Sequence, residues 1–116
     1  RPWNDPRLDI DRKMAVQPES FLLGFAQGEL CASAMAGFDG HRGWINYLAV
    51  APAYRHRGFG RQMLAAVEQT LALQGCPKLN LQVRAGNDAA LAFYKKLGYA
   101  QDPVISLGKR LIDDEN

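Results

Sequence analysis

The sequence predicts a mixed α/β (α+β) domain in which antiparallel strands lead into a parallel β-α-β unit, with helices on both faces of the sheet. Three observations predict it. Short apolar runs separated by glycine turns fill residues 21–50, the apolar period lengthens from two to about 3.6 after Pro52, and a second strand and helix follow Gly75-Cys76-Pro77. At 116 residues the chain is read as a single domain, 1–116, with no linker and no repeat.

Asn4-Asp5-Pro6 ahead of Leu8, Ile10 and Met14 predicts a capped helix start, because Asp5 accepts orphan N–H groups and Pro6 suits the first helical position. Pro18 closes that helix. Phe21 to Gln27 forms a strand, Gly28-Glu29 a tight turn, and Leu30 to Phe38 the returning strand. Asp39-Gly40-His41-Arg42-Gly43 supplies turn chemistry again, and Trp44 to Val50 is a third strand with alternating faces. Phe59, Met63, Leu64, Val67 and Leu71 then recur at helical spacing from Gly58 to Gln74, where Gly75 and Pro77 stop the helix. Lys78 to Arg84 sets Leu79, Leu81 and Val83 against Lys78, Asn80 and Gln82, the alternation of a half-buried strand. Asn87-Asp88 caps a helix over Ala89 to Leu97, Gly98 ends it, and a last strand takes part of Val104 to Arg110.

Composition removes several function classes. The hydrophobic fraction of 47% and charged fraction of 22% are those of an ordinary globular protein. Apolar runs such as Phe21 to Ala26 fall far short of the roughly 20 residues that span a bilayer, so no membrane association is expected and the cytoplasm is the default location. A formal charge of +2 is too small to predict nucleic-acid binding. Its distribution is uneven, with Arg55, His56, Arg57 and Arg61 crowding the middle and Asp113, Asp114 and Glu115 forming an acidic tail. Cys31 and Cys76 lie far apart with no metal-ligand spacing, which predicts two free thiols and no metal site.

A strand ending near Val50, a loop with two close glycines and a long helix together aim backbone N–H groups outward, which makes an anion site. Gly58 and Gly60 lack Cβ, so a diphosphate can approach the main chain of residues 57–61, and the helix dipole adds attraction. No Lys-Ser/Thr pair follows the second glycine and the spacing is not GxGxxG, so phosphoryl and hydride transfer lose support.

Leu48-Ala49-Val50-Ala51-Pro52-Ala53-Tyr54-Arg55-His56-Arg57-Gly58-Phe59-Gly60-Arg61 resembles the coenzyme A motif of the GNAT N-acetyltransferase superfamily, whose core is Arg/Gln-x-x-Gly-x-Gly/Ala. Asn87 with Ala89, Leu91 and Phe93-Tyr94-Lys95-Lys96-Leu97-Gly98-Tyr99 resembles the later N-x-x-A-x-x-x-Y-x-x-x-G-F segment at the expected separation. The resemblance runs from about Phe21 to the end. The Asp39 to Gly43 hairpin and the Ser106-Leu107-Gly108-Lys109-Arg110 ending look closest to the small bacterial YpeA-like branch. It implies acetyl-coenzyme A as cosubstrate, no metal, and direct attack by a primary amine in a ternary complex. By the same resemblance the main chain of Leu48, Ala49 and Val50 pairs with the pantetheine arm, residues 56–61 (His56, Arg57, Gly58, Phe59, Gly60 and Arg61) hold the pyrophosphate with Arg55 also at the cofactor, and Asn87 touches the cofactor arm. Tyr94 is then the proton donor to the departing thiolate, the alternative being a core aromatic packed with Leu91 and Leu97. A backbone N–H near Val50 stabilises the developing oxyanion.

The general base is left unassigned. Gln82 stands where the branch that acetylates protein amino termini often has glutamate, and an amide is no base. Asp39 and His41 are the other candidates, in a hairpin where turn-forming is their commoner role. Asn46 and Tyr47 are candidates for the acceptor pocket, with strand alternation sending one of them to the core; Trp3 and Trp44 are read as acceptor-side or as packing residues. The family begins with a strand and helix ahead of the segment that Arg1 to Gln17 resembles; the sequence is expected to lack them, as a fragment of a longer chain or because another subunit completes the sheet. Phe21 to Ala26 is then expected at a sheet edge, and a homodimer or a poorly behaved monomer would follow. The acceptor is an amine, either a small molecule or a protein amino group. Two other classes compete: a coenzyme A-binding sensor or scaffold without turnover, and a small nucleic-acid-binding domain, which the low charge and lack of base-stacking aromatics disfavour.

Overall fold

The computed structural model describes residues 8–14 and 19–112 of the chain, and the turn at Gln27-Gly28 organises its sheet. Both turn residues take positive φ, 54° and 79°, as a two-residue hairpin turn of the primed class requires. The turn therefore sits one residue earlier than the sequence suggested. It joins β2 (Glu19–Ala26) to β3 (Glu29–Phe38), and the Asp39 to Arg42 turn leads on to β4 (Gly43–Val50). With β1 (Asp9–Met14) outside β2 and β5 (Leu79–Asn80) beyond β4, five strands stand in the order β1-β2-β3-β4-β5. The first four are antiparallel and β5 runs parallel to β4.

Asp9–Met14 is a strand, which corrects the helix expected there. Leu8 and Ile10 fit a period of two, and β2 offers a full ladder from Asp9↔Phe25 to Met14↔Ser20. The cap at Asn4-Asp5-Pro6, Trp3, Pro18 and the acidic tail lie outside the described residues. Because β1 lies beside β2, Phe21 to Ala26 is not a sheet edge, and the open edge on which a dimer was expected is absent. Among the described residues β1 is the outer strand, and it carries Asp9, Asp11, Arg12 and Lys13.

One face of the sheet is lined mostly by small residues. Ser20, Leu22 and Gly24 on β2 stand beside Ala36, Ala34 and Ala32 on β3, and Ile45 adjoins Ala36. Helix α1 (Phe59–Leu73) packs there, burying Phe59, Met63, Leu64, Val67, Thr70 and Leu71. The approach is close: a Cβ on Gly24 would lie 2.7 Å from Leu8 Cδ2 and 3.0 Å from Met63 Sδ. The buried Thr70 hydroxyl is satisfied twice, donating to the Ala66 carbonyl (2.8 Å) and accepting from the Arg12 guanidinium (3.2 Å).

Two strand expectations change at the far side. In β4, Tyr47 pairs with Met35 and Ile45 with Ala36, which leaves Asn46 as an extra residue in a bulge. The bulge breaks the alternation, so Asn46 and Tyr47 both face out and neither enters the core. The strand expected over Lys78 to Arg84 shrinks to Leu79–Asn80, paired with Gly43 and Trp44. Leu81 and Val83 keep their half-buried alternation but have no ladder to join.

The chain divides into two compact units, Arg1–Arg84 and Ala85–Asn116. The second holds α2 (Asp88–Lys96), capped by Asn87 and ended at Gly98, whose φ is 97°. The last strand expected within Val104 to Arg110 does not form. Val104, Ile105 and Leu107 are 77–91% exposed, and Gly108 interrupts a run that lacks strict alternation.

Candidate functional site

The ladder between β4 and β5 stops at Trp44, so the rest of β4 has a strand neighbour only on the β3 side. At its end the Ala51 N–H donates to the Cys31 carbonyl at 2.8 Å. Alternation along the strand then turns the main-chain groups of Val50 and Leu48 away from β3. The Val50 carbonyl accepts from Arg55 Nε at 3.3 Å, consistent with that outward direction.

After Val50 the chain makes one 3₁₀ turn, Pro52–Tyr54, closed by the Tyr54 N–H on the Ala51 carbonyl at 2.9 Å. Two left-handed residues then bracket Arg57: His56 at φ 65° and Gly58 at φ 82°. Gly58 is required for its dihedral rather than for space, since a Cβ there would meet only Arg61 Nη2 at 3.7 Å. It is also the N-cap of α1, and it brings no side-chain cap. The Gln62 N–H is the first to find the helix, on the Gly58 carbonyl at 3.1 Å. The N–H groups of Phe59, Gly60 and Arg61 precede it, at the positive end of a 15-residue helix with no acid in its first turn. Arg55, His56, Arg57 and Arg61 are all exposed around them.

A second set of contacts ties this loop down. The Tyr54 ring stacks on buried Phe59 with centroids 5.9 Å apart, and the Arg57 guanidinium lies over the other partner of that stack, 5.1 Å from the Tyr54 centroid. The Tyr54 hydroxyl donates to the Glu29 carboxylate on the β2–β3 hairpin. Sequence reasoning passed over Glu29 as a turn residue; only the fold brings it to Tyr54. The buried Cys31 thiol nearby is pushed up in pKa, first by burial, and feels both Glu29 and Arg57.

In the second unit, Asn87 and Tyr94 share α2. The Asn87 side-chain oxygen accepts the Ala90 N–H at 3.1 Å, which leaves its amide NH₂ for another partner. Tyr94 is half-buried between edge-on rings, Phe93 at 5.0 Å and Tyr99 at 5.7 Å. Burial pushes its phenol above the ordinary value of 10.0. Leu91, expected as a packing partner, is 36% exposed.

Among the base candidates, Asp39 is a turn-former. Its Oδ1 accepts the N–H groups of His41 (2.8 Å) and Arg42 (2.9 Å), and those bonds hold its exposed carboxyl below the usual range. His41 and Gln82 are exposed. Among the described residues, no group of three His, Cys, Asp or Glu gathers, and no helix is long and apolar enough to cross a membrane. Cys31 and Cys76 are free thiols.

The acetyltransferase (GNAT) family model matches residues 1–99. An acetyltransferase of Sodalis glossinidius is 50% identical over 116 residues, which is 99% of this chain and 82% of that protein. Among solved structures, the aminoglycoside N-acetyltransferase AAC(6')-Iy in complex with coenzyme A has the same fold, with a TM-score of 0.74 at 18% identity, covering 84% of this chain and 70% of that one. The ribosomal-protein-S18-alanine N-acetyltransferase of Escherichia coli superposes with a TM-score of 0.67 at 30% identity, over 72% of this chain and 54% of that one.

Proposed function

Because the chain belongs to the GNAT acetyltransferase family and is an N-acetyltransferase, we propose that it moves acetyl from acetyl-coenzyme A to a primary amine by direct attack in a ternary complex. The observation that carries this reading is the head of α1, where uncapped N–H groups meet a left-handed glycine and four exposed cationic or imidazole side chains. That arrangement fits a pyrophosphate held by residues 55–61. The unpaired edge of Leu48 to Val50 fits an extended amide-bearing arm added as a strand. The coenzyme A bound by the aminoglycoside N-acetyltransferase of the same fold supports the choice of cosubstrate.

When bound, acetyl-coenzyme A supplies an acetyl group activated as a thioester. The Val50 N–H, directed away from β3, donates to the acetyl oxygen as its charge grows. Tyr94 delivers a proton to the departing sulfur. A thiol titrates near 8.5 and a phenol near 10, so the transfer is slightly uphill, and burial of Tyr94 widens the gap while keeping the donor loaded across neutral pH. The Asn87 amide NH₂ is available to the cofactor arm. Gln82 has no basic atom and Asp39 is held acidic by its turn, which leaves exposed His41 or solvent to take the ammonium proton of the acceptor.

The test is thiol release from acetyl-coenzyme A across a panel of polyamines, aminoglycosides, amino acids and peptides with free amino termini. The expected result is release that depends on at least one amine class. Binding of coenzyme A with no release above the rate in buffer would instead mark a binding module without turnover.

A further inference from the structure

We infer that Tyr54 and Glu29 are positioning residues that hold the phosphate-binding loop in its binding shape through a clamp across the β2–β3 hairpin. The inference rests on the coenzyme A reading of that loop. The loop has two residues in left-handed conformation within three positions, and one of them, His56, carries a side chain that disfavours it. Such a backbone persists only where its surroundings hold it. The main chain closes only the turn ahead of it, with the Tyr54 N–H on the Ala51 carbonyl at 2.9 Å and the Arg55 N–H on the Pro52 carbonyl at 3.4 Å.

Tyr54 supplies the rest from three sides. Its ring lies against Phe59, which is 1% exposed and so fixed to the core, and Phe59 is the first residue of α1. Its hydroxyl reaches Glu29, the first residue of β3, which belongs to the rigid hairpin. Its ring also receives the Arg57 guanidinium, 5.1 Å from the centroid, which restrains a long flexible cation of the loop. Residues on either side of the strained segment are thereby fixed to separate rigid elements, and the loop between them has little freedom left to lose on binding. Neither Tyr54 nor Glu29 needs to touch the ligand for this effect.

A positioning role makes a prediction that general destabilisation does not. Tyr54→Ala should weaken binding of coenzyme A roughly tenfold, and weaken 3′-phosphoadenosine 5′-diphosphate, the nucleotide half alone, by the same factor. Pantetheine, which lacks the diphosphate, should bind Tyr54→Ala and wild type alike. Tyr54→Phe keeps the stack and the cationic contact but loses the bond to Glu29, so it should fall between wild type and Tyr54→Ala, as should Glu29→Ala; Glu29→Gln, which keeps an acceptor, should bind nearly as wild type. Isothermal titration with the three ligands reads all of these, with Tyr54→Phe and Glu29→Ala carrying the test if Tyr54→Ala does not fold. Equal loss for pantetheine, or no loss for the nucleotide half in any variant, overturns the clamp. Wild-type protein that binds neither coenzyme A nor its nucleotide half overturns the coenzyme A reading beneath it instead.

Discussion

At the head of α2 the Asn87 side chain accepts the Ala90 N–H, Asp88 puts a carboxylate in the first turn, and Lys95 and Lys96 stand in the last. The head of α1 has none of these, and no basic residue closes its far end. A missing cap costs a helix about 1 kcal/mol, so the two beginnings call for different supports. The shorter helix buries no residue fully and relies on its own termini. The longer one is held by six buried side chains over a stripe of alanines, and that packing lets it leave its first N–H groups uncapped. Stability from burial thus removes the need for a cap, as the proposed binding role of this helix end requires.

The largest effect should come from removing that burial. Leu64→Ala is expected to cost about 2–5 kcal/mol in urea unfolding, while Leu91→Ala on the more exposed α2 should cost less than about 1 kcal/mol. Similar losses at both sites would break the contrast.

Next in size is Tyr94→Phe, which should lower kcat roughly a hundredfold and leave coenzyme A affinity unchanged. Its pH behaviour has a definite sign. The folded phenol holds its proton to higher pH than the unfolded one, so its contribution to stability is complete below about pH 10 and is lost as pH rises through the folded value. The phenylalanine variant should lack that alkaline loss, and a wild-type rate that falls already near neutral pH would discredit Tyr94 as donor.

Smaller still, Asn87→Ala should cost about 1 kcal/mol through the lost cap. Asn87→Asp keeps the acceptor and should keep the melting temperature, so any coenzyme A affinity it loses reports the amide NH₂ alone. Least of all, Asp39→Asn keeps an oxygen for both turn N–H groups and should change activity by less than about twofold. The depressed carboxyl favours the fold above its unfolded pKa near 4, and that small contribution disappears as pH falls through the folded value. A large drop in rate for Asp39→Asn would restore it as a base.

Helix α1 was readable because Phe59, Met63, Val67 and Leu71 repeat at one clear period and Gly58 and Gly75 punctuate it. The place of the glycine loop was readable because Gly58 and Gly60 mark the start of that helix, whereas the left-handed His56 carries no sequence signal. Asp9–Met14 was misread because Leu8, Ile10 and Met14 suit either period, and the choice depends on a partner strand ten residues on. The Asn46 bulge has no local signal at all; it follows from the register between β3 and β4. Lys78 to Arg84 and Val104 to Arg110 failed in part because a strand needs a neighbour as well as suitable residues. The Tyr54–Glu29 contact joins residues 25 positions apart, beyond the reach of any motif.

The central claim is that the uncapped head of α1 is a coenzyme A diphosphate site shaped by Gly58. Calorimetric titration of coenzyme A into wild type and Gly58→Val tests it most directly. At φ 82° a β-branched residue is strained, so the variant should bind roughly ten- to a hundredfold more weakly and lose most of the rise in melting temperature that coenzyme A gives the wild type. Equal affinity in the two proteins, with the variant folded, would contradict it.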